Sequence, residues 1–189
     1  MRRYFGENKN MKSTIRYFSL LIIIAFANFA HAQKAVENKN LPNFSKVNAN
    51  LYRGGQPTEA GVQELRGMGV KTIINLRGAD ENSKPEEKWA REAGIEIKNV
   101  NLSNWFEPKT TEIDNIIKEI DKPENQPIFV HCKRGADRTG TVIAVYRIRH
   151  DGFTAKQAID EAKQFDFGWW QFWMKDFIKD YYRDFKKGT

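Results

Sequence analysis

Hydrophobic positions follow two different periods along residues 43–189, and the changes of period mark the predicted elements. Short runs rich in β-branched residues occur at 70–76 (VKTIINL), 95–102 (IEIKNVNL) and 127–131 (PIFVH), and such runs predict buried strands. Between these runs, apolar residues recur at helical spacing, as the isoleucines of 110–121 do. Strands that alternate with helices predict an α/β fold, with a mostly parallel central sheet and helices on both faces.

Turn and capping residues divide the rest of this region. Residues 43–55 predict two short strands, with a turn at 54–57 (GGQP). Residues 139–152 predict an apolar helix that a glycine closes. Other helix starts are indicated by the N-cap residue Thr58 and by the capping-box pairs Ser83–Glu86 and Thr154–Gln157.

Residues 1–32 stand apart from this pattern. A basic start precedes an apolar run at 17–29, and the segment ends in Ala-His-Ala at 30–32. The run is shorter than the roughly 20 residues of a membrane-spanning helix. These features predict a signal peptide that is cleaved before Gln33, and therefore an exported protein, periplasmic or secreted. An uncleaved anchor is the alternative, and Met11 is an alternative start.

Charge and composition limit the classes of partner that we expect this chain to bind. Residues 33–42 are polar and predict a short linker, which leaves 43–189 as one domain. The formal net charge is +7, but residues 1–32 contribute +4 of it, so the mature chain carries only +3. Such a modest excess does not call for nucleic acid. The histidines and acids show no ligand spacing, so we expect neither a metal nor a cofactor.

The decapeptide 131–140, HCKRGADRTG, carries the strongest chemical signal. It lies between a predicted strand and a predicted helix, where backbone N–H groups and the helix N-terminus attract an anion. Arg138 offers a planar fork for two phosphate oxygens. Cys132 is the chain's single cysteine, and thiols in such settings have pKa values of roughly 3.5–7.5. We therefore expect a Cys132 thiolate that attacks phosphorus, with the Thr139 hydroxyl donating to the departing sulfur.

Other residues are expected either to order the loop or to bind the substrate. His131 is expected to order the loop through hydrogen bonds rather than to act as a base. The adjacent cations Lys133 and Arg134 favour substrates with several phosphates. Arg77 ends a predicted strand and is expected to extend this rim, with an ordinary surface arginine as the alternative. The predicted substrate-binding residues are Lys133, Arg134, Gly135, Ala136 and Arg77.

The decapeptide resembles the signature of the cysteine-dependent protein-tyrosine and dual-specificity phosphatase superfamily, His-Cys-x5-Arg-Ser/Thr. The segments 51–58 (LYRGGQPT) and 72–78 (TIINLRG) follow the order of bacterial dual-specificity-like members. The loop is also similar to HCKRG-x-x-RTG of the atypical plant and fungal group, which is associated with inositol polyphosphates and pyrophosphates. The resemblance implies a dual-specificity phosphatase-like fold, with Cys132 as nucleophile and Arg138 as phosphate binder. It implies phosphotyrosine proteins, phosphoinositides or inositol phosphates as substrates.

The resemblance leaves two candidates for the general acid, because the family's upstream Asp is missing. Residues 98–109 (KNVNLSNWFEPK) contain Glu107 as their only acid. Myotubularin-type members have an Asp directly before the signature Arg, as Asp137 stands here, and a carboxyl beside a bound dianion favours its protonated form. Asp137 is the preferred donor and Glu107 the second candidate. A role for Asp137 in loop geometry is the remaining alternative.

The segment 165–185 is unusually aromatic, with an aromatic residue every four positions from Trp169. This spacing predicts a last helix that packs on the domain. The same aromatic and lysine composition also suits weak contact with a membrane surface. Two other protein classes remain open: a rhodanese-type sulfurtransferase, and a catalytically silent phospho-binding module.

Overall fold

The computed structural model describes residues 38–79 and 83–188. The predicted signal peptide at 1–32 lies outside the described residues. Among the helices within them, none combines the length and the apolar character needed to cross a membrane.

A five-stranded mixed sheet forms the centre of the described structure. The strand order is β1-β2-β5-β3-β4; β2, β5, β3 and β4 are parallel, and only β1 runs antiparallel to its neighbour. This arrangement confirms the mostly parallel sheet. The strands are β1 (Ser45–Lys46), β2 (Leu51–Gly55), β3 (Thr72–Asn75), β4 (Glu96–Asn99) and β5 (Ile128–Cys132).

Helices cover both faces of the sheet, as predicted. The first two helices pack on one face around Ile73 and Phe129. The other four pack on the opposite face around Ile128 and Val130. The helices are α1 (Glu59–Gly67), α2 (Lys84–Ala93), α3 (Thr110–Asp121), α4 (Asp137–His150), α5 (Ala155–Lys163) and α6 (Phe172–Gly188), and a short 3₁₀ turn spans Pro123–Asn125.

Strand β5 separates its side chains between the two faces. Val130 and Cys132 belong to the core beneath α3–α6, whereas Phe129 belongs to the core beneath α1 and α2. His131 stacks on Phe129, with ring centroids 5.5 Å apart. Because side chains alternate along a strand, Cys132 and its neighbour His131 face opposite layers of the described structure.

All three predicted helix starts are confirmed, because Thr58, Ser83 and Thr154 are N-cap residues, but only two of the predicted capping interactions form. The Thr58 side chain accepts a hydrogen bond from the Gly61 N–H at 3.2 Å, and Thr154 forms a capping box with Gln157. The capping box predicted at Ser83 and Glu86 is wrong. The Ser83 side chain makes no N-cap hydrogen bond, and Glu86 is fully buried against the sheet instead.

Three predicted boundaries also move. Helix α4 begins at Asp137, two residues before the predicted start, and β2 extends through the glycines predicted as a turn. Residues 38–42 are not a loose linker. Leu41 is fully buried in the core, and the Asn40 side chain donates to the Glu64 carboxylate at 2.7 Å. The domain therefore begins before residue 43.

The C-terminal aromatic segment divides into a buried and an exposed part. Helix α6 packs on the core as predicted, and its buried residues are Met174, Phe177, Ile178 and Tyr181. The exposed aromatic residues lie at its first turn and just before it, at Trp169, Trp170 and Phe172. One face of α6 is thus buried against the core, and the exposed large apolar side chains of this segment are confined to residues 169–172.

Candidate active site

The residues of the decapeptide lie at the carboxyl end of the parallel sheet. Cys132 is the last residue of β5, and α4 begins at Asp137. Ligands of open parallel sheets bind beyond this edge. The N-terminus of α4 adds partial positive charge and unpaired backbone N–H groups at the same place. The intervening residues 133–136 therefore form an anion-binding loop, which we call the phosphate loop together with 131, 132 and 137–139.

Close approach to strand β2 shapes the phosphate loop. Gly135 has φ +73°, in the left-handed region, and a Cβ atom there would collide with the Gly54 backbone. A Cβ atom on Gly55 would crowd the backbone of Lys133 and Arg134. The glycines of β2, which looked like a turn in the sequence, are needed where the loop crosses the neighbouring strand.

A buried arginine on β2 holds the backbone of the phosphate loop. Arg53 is fully buried and donates from Nη2 to the Gly135 carbonyl at 2.7 Å. Its guanidinium lies 3.8 Å from the centroid of the Phe165 ring. Burial lowers the pKa of Arg53 to about 10, while the charges of Glu161 and Cys132 oppose this shift. Arg53 therefore stays protonated at neutral pH and places a positive charge beneath the loop.

Arg138 is anchored through one nitrogen. Its Nη1 donates to the carbonyls of Leu76 at 3.3 Å and Leu102 at 3.4 Å, which lie beyond the ends of β3 and β4. Its buried Nε makes no hydrogen bond with any described residue. The guanidinium is therefore oriented by the sheet while part of its fork remains for phosphate oxygens.

The predicted nucleophile and the threonine predicted to assist it are both buried. Cys132 is 3% exposed and Thr139 is fully buried in the first turn of α4. The Thr139 hydroxyl makes no hydrogen bond within the described part of the chain. A buried hydroxyl without such a partner is available to donate to a nearby anion.

His131 lies between the backbone carbonyl of Cys132 and a carboxylate that the sequence pattern did not identify. Its Nδ1 is 3.2 Å from the Cys132 carbonyl oxygen, and its Nε2 is 2.7 Å from Oε1 of Glu86 on α2. Both side chains are fully buried. This geometry agrees with an ordering role for His131 and gives it no access to solvent.

Asp137 is tied by both of its carboxylate oxygens. Oδ2 accepts from Arg134 Nη2 at 2.7 Å, and Oδ1 accepts from the Gly168 N–H at 2.8 Å. Asp137 is also the first residue of α4, where a negative charge is favourable. The carboxylate thus links the phosphate loop to the segment before α6, and Arg134 is paired rather than free.

A cleft of about 420 Å³ opens above the loop. It brings together five predicted site residues and adds three others from two flanking segments. The lining residues are Asn104, Trp105, Cys132, Lys133, Arg134, Asp137, Arg138 and Trp170.

Six predicted site residues lie outside this lining. His131, Gly135, Ala136 and Thr139 are buried residues of the phosphate loop itself, whereas Glu107 and Arg77 belong to other segments. Glu107 is exposed, although Asn104 and Trp105 of the same segment reach the cleft. Arg77 is half-buried, and its Nη1 donates to the Gln56 side chain. Their predicted roles stay predictions.

Exposed aromatic side chains lie in the two segments that contribute Trp105 and Trp170 to the cleft lining. Trp105 is 77% exposed and Trp169 is 73% exposed. Among the described residues, six large hydrophobic side chains are exposed, and only Met68 lies outside the segments 105–106 and 169–172. We call the other five the aromatic rim: Trp105, Phe106, Trp169, Trp170 and Phe172.

The described residues contain no group of three or more His, Cys, Asp or Glu side chains that could hold a metal ion.

Comparison with protein families places this chain. A family model described as "DSP-PTPase phosphatase fused to NAD+ Kinase" matches residues 23–179, most of the chain. The chain belongs to this DSP-PTPase family. The resemblance seen in the decapeptide is thereby confirmed at the level of the whole domain.

Individual relatives agree with this DSP-PTPase assignment. The dual specificity protein phosphatase TpbA of Pseudomonas aeruginosa is 27% identical over 128 residues, which cover 67% of this chain and 56% of TpbA. Inositol diphosphatase DSP4 of Arabidopsis thaliana is 28% identical over 109 residues, which cover 56% of this chain and 54% of DSP4. The chain thus spans about half the length of these curated relatives.

A solved structure supports the fold of this DSP-PTPase domain. The core catalytic domain of the PP-IP phosphatase SIW14 from S. cerevisiae, in complex with citrate, superposes with a TM-score of 0.67 at 26% identity. The alignment covers 78% of this chain and 93% of that domain. The predicted dual-specificity phosphatase-like architecture is confirmed.

Sequence reasoning missed two buried charges in this DSP-PTPase site. Arg53 stands within a strand pattern, between Tyr52 and two glycines, and a charged residue in a central strand is a signal that it has a specific partner. Glu86 shares the buried helix face of Ala90 and Ala93. A carboxylate at an apolar position of a helix carries the same signal, because buried charges are paired.

Proposed function

We propose that this chain is a phosphomonoester hydrolase that works through a phosphocysteine intermediate. The observation that carries the proposal is the joint placement of Cys132 and Arg138 in one cleft at the N-terminus of α4. Its membership of the DSP-PTPase family supports the same chemistry. Lys133 and the buried Arg53 add positive charge around the position of the phosphoryl group.

In the first step the Cys132 thiolate attacks phosphorus. A sulfur–phosphorus bond forms, the bond to the ester oxygen breaks, and the leaving group takes one proton from a general acid. The backbone N–H groups of the loop and the Arg138 fork stabilise the oxygens of the transferring phosphoryl group, which carry charge in the transition state.

In the second step water attacks the phosphocysteine. A phosphorus–oxygen bond forms, the sulfur–phosphorus bond breaks, and inorganic phosphate and the thiolate are released. The same acid, now a base, accepts a proton from the water. The Thr139 hydroxyl, which is free of other hydrogen bonds in the described structure, donates to sulfur as its negative charge returns.

Asp137 remains the proposed proton donor, because it lines the cleft and Glu107 does not. In the ligand-free arrangement its oxygens accept from Arg134 and Gly168. Proton donation by Asp137 therefore requires that Oδ2 loses its hydrogen bond from Arg134 and takes up a proton when the phosphate dianion binds. The alternative role, in which Asp137 only fixes the loop to the segment before α6, is supported by the same two hydrogen bonds.

Trapping the intermediate tests the proposed reaction. The protein is mixed with an aryl phosphate, quenched with acid and digested, and the peptide that contains Cys132 is examined by mass spectrometry for phosphorylation. We expect phosphate on Cys132. An unmodified peptide together with no aryl phosphate turnover contradicts the proposal and leaves a silent phospho-binding module, and sulfur transfer from thiosulfate would indicate a sulfurtransferase.

We further propose a preference for polyanionic substrates, such as inositol phosphates and phosphoinositides. Lys133 is exposed at the cleft, and its side chain makes no hydrogen bond or ion pair with a described residue. A second phosphate group would find this cation unpaired. The names of two relatives, the inositol diphosphatase DSP4 and the PP-IP phosphatase SIW14, support this substrate class.

Export and weak membrane contact belong to the same proposal. Export rests on the sequence of residues 1–32 and predicts Gln33 as the N-terminal residue of the protein isolated from the cell envelope or the medium. An intact N-terminus there would contradict cleavage. Membrane contact is now assigned to the aromatic rim rather than to the face of α6, because that face is packed on the core.

A further inference from the structure

The buried pair of Glu86 and His131 contains a hydrogen-bonding conflict. The Cys132 carbonyl oxygen is 3.2 Å from His131 Nδ1 and can only accept, so Nδ1 must carry a hydrogen. In a neutral ring Nε2 is then an acceptor. It nevertheless lies 2.7 Å from Oε1 of Glu86, and an ionised carboxylate is also an acceptor. Nε2 and both Glu86 oxygens are accordingly buried without a hydrogen-bond partner among the described residues.

One additional proton resolves this conflict. It lies either on Nε2, which gives an imidazolium–carboxylate pair, or on Glu86, which gives a neutral pair. Both arrangements have zero net charge. Burying the two groups without that proton would place an uncompensated negative charge behind the Cys132 thiolate, and buried charges without a partner are costly.

We infer that Glu86 is a positioning residue that shares a proton with His131 and so fixes the ring with its Nδ1–H on the Cys132 carbonyl. Helix α2 supplies Glu86, and stacking on Phe129 holds the plane of the ring. The inference rests on the proposed role of Cys132 as nucleophile and adds a residue from the opposite layer of the fold.

The consequence for the site follows from the planarity of the peptide bond. In a trans peptide the carbonyl of Cys132 and the N–H of Lys133 point in opposite directions. His131 holds that carbonyl towards the layer of α1 and α2. The Lys133 N–H is therefore directed away from that layer, on the side of the Cys132 side chain that lines the cleft, where it can bind a phosphate oxygen.

Two variants separate positioning from general stability. Glu86→Gln keeps a hydrogen bond, because its amide can donate to Nε2 of a neutral ring, whereas Glu86→Leu removes it. The exposed Glu92 at the other end of α2 provides the matched control, Glu92→Leu. The readouts are the alkylation rate of Cys132 by iodoacetamide, its protection by inorganic phosphate, and the melting temperature. None of them requires turnover, so their outcome is independent of whether the chain hydrolyses phosphate esters.

We expect Glu86→Leu to slow alkylation and weaken phosphate protection by about tenfold, the factor that corresponds to the loss of one hydrogen bond. Glu86→Gln and Glu92→Leu should stay within about twofold of the parent. A folded Glu86→Leu protein with unchanged alkylation and protection overturns the inference.

Nitrogen NMR of the unmodified protein covers the case in which Glu86→Leu does not fold. We expect His131 Nδ1 to carry a hydrogen and Nε2 to show either a bound proton or a strong hydrogen bond. A signal from Nδ1 as an unprotonated imine nitrogen, or from Nε2 as a free one, refutes the shared proton.

Discussion

The phosphate loop and the aromatic rim border the same cleft but are built in opposite ways. The loop is held by β2, by α2 and by its own helix, and most of its residues are buried. The rim consists of large apolar side chains that remain in water, and the backbone N–H groups of Trp105 and Phe106 are fixed through the single hydroxyl of Ser103. The difference separates two tasks: a rigid loop suits chemistry that needs fixed geometry, and an exposed rim suits recognition of a surface.

Loss of the nucleophile should give the largest effect. Cys132→Ser keeps the size of the side chain but removes the thiolate, so we expect hydrolysis of an aryl phosphate to fall by roughly 10⁴-fold or more. The measurement is a steady-state assay, with phosphate binding as the control for an intact loop. Residual activity within tenfold of the parent would place the chemistry elsewhere.

A side chain on Gly135 should damage the loop through its contact with β2. Gly135→Ala meets both a positive φ and the backbone of Gly54, and we expect it to lower the free energy of unfolding by roughly 3 kcal/mol or more. Gly69, with φ +80° and open space around its Cβ position, is the matched control.

The control Gly69→Ala should cost only about 1 kcal/mol, since it carries the backbone strain alone. Urea unfolding measures both variants. Equal costs would show that the approach of the loop to β2 does not constrain it.

Asp137→Asn should discriminate between leaving groups. If Asp137 donates the proton, turnover of a poorly departing alkyl phosphate falls by about 100-fold, while an activated aryl phosphate is hardly affected. An equal decrease for both substrates, together with a lower melting temperature, would assign Asp137 to loop geometry. The companion variant Glu107→Gln tests the second candidate under the same conditions.

Lys133→Ala should change substrate ranking rather than catalysis. Because the lysine is exposed, we expect about a fivefold loss in kcat/KM for an inositol polyphosphate and little change for an aryl phosphate. Lys71, exposed at the amino end of β3 and thus at the opposite edge of the sheet, is the control. The polyanion preference fails if the ranking of substrates is the same in all three proteins.

Removal of rim side chains should leave the fold and the chemistry intact. For Trp169→Ala/Phe172→Ala we expect a stability within about 0.5 kcal/mol of the parent and unchanged turnover of a soluble aryl phosphate. Flotation with anionic vesicles should decrease by about threefold or more, since each aromatic side chain contributes to interfacial binding. Met68→Ala is the matched exposed control. No flotation of the parent, or no difference among the variants, removes the membrane contact.

The sequence predicts the parts of this molecule that depend on local pattern. The isoleucines of α3 occupy one buried helix face as their spacing requires, and the decapeptide occupies the strand–loop–helix junction. Glu86 could not be interpreted in the same way. Its spacing from Ser83 is that of a capping box, but a partner 45 residues away on another element draws it into the core.

The hydrogen bonds of Asp137 and Arg53 could not be predicted from the sequence either, because their partners are also distant along the chain. The donor to Asp137 Oδ1 is 31 residues away, and the carbonyl that Arg53 binds is 82 residues away. Local propensity contains no information about such partners, which only the packing of the complete sheet brings together. Sequence reasoning therefore named the candidate reacting groups but not the distant residues that contact them.

The close approach of β2 to the phosphate loop has a consequence for protein engineering. Arg53, Gly54 and Gly55 are consecutive, and each contacts or makes room for the loop. A decapeptide transplanted alone into another α/β scaffold would lack the two glycines that leave room for the loop and the buried Arg53 that donates to it. A transferable unit of this site must therefore include β2 as well as β5, the phosphate loop and the start of α4, although β2 contributes no residue to the cleft lining.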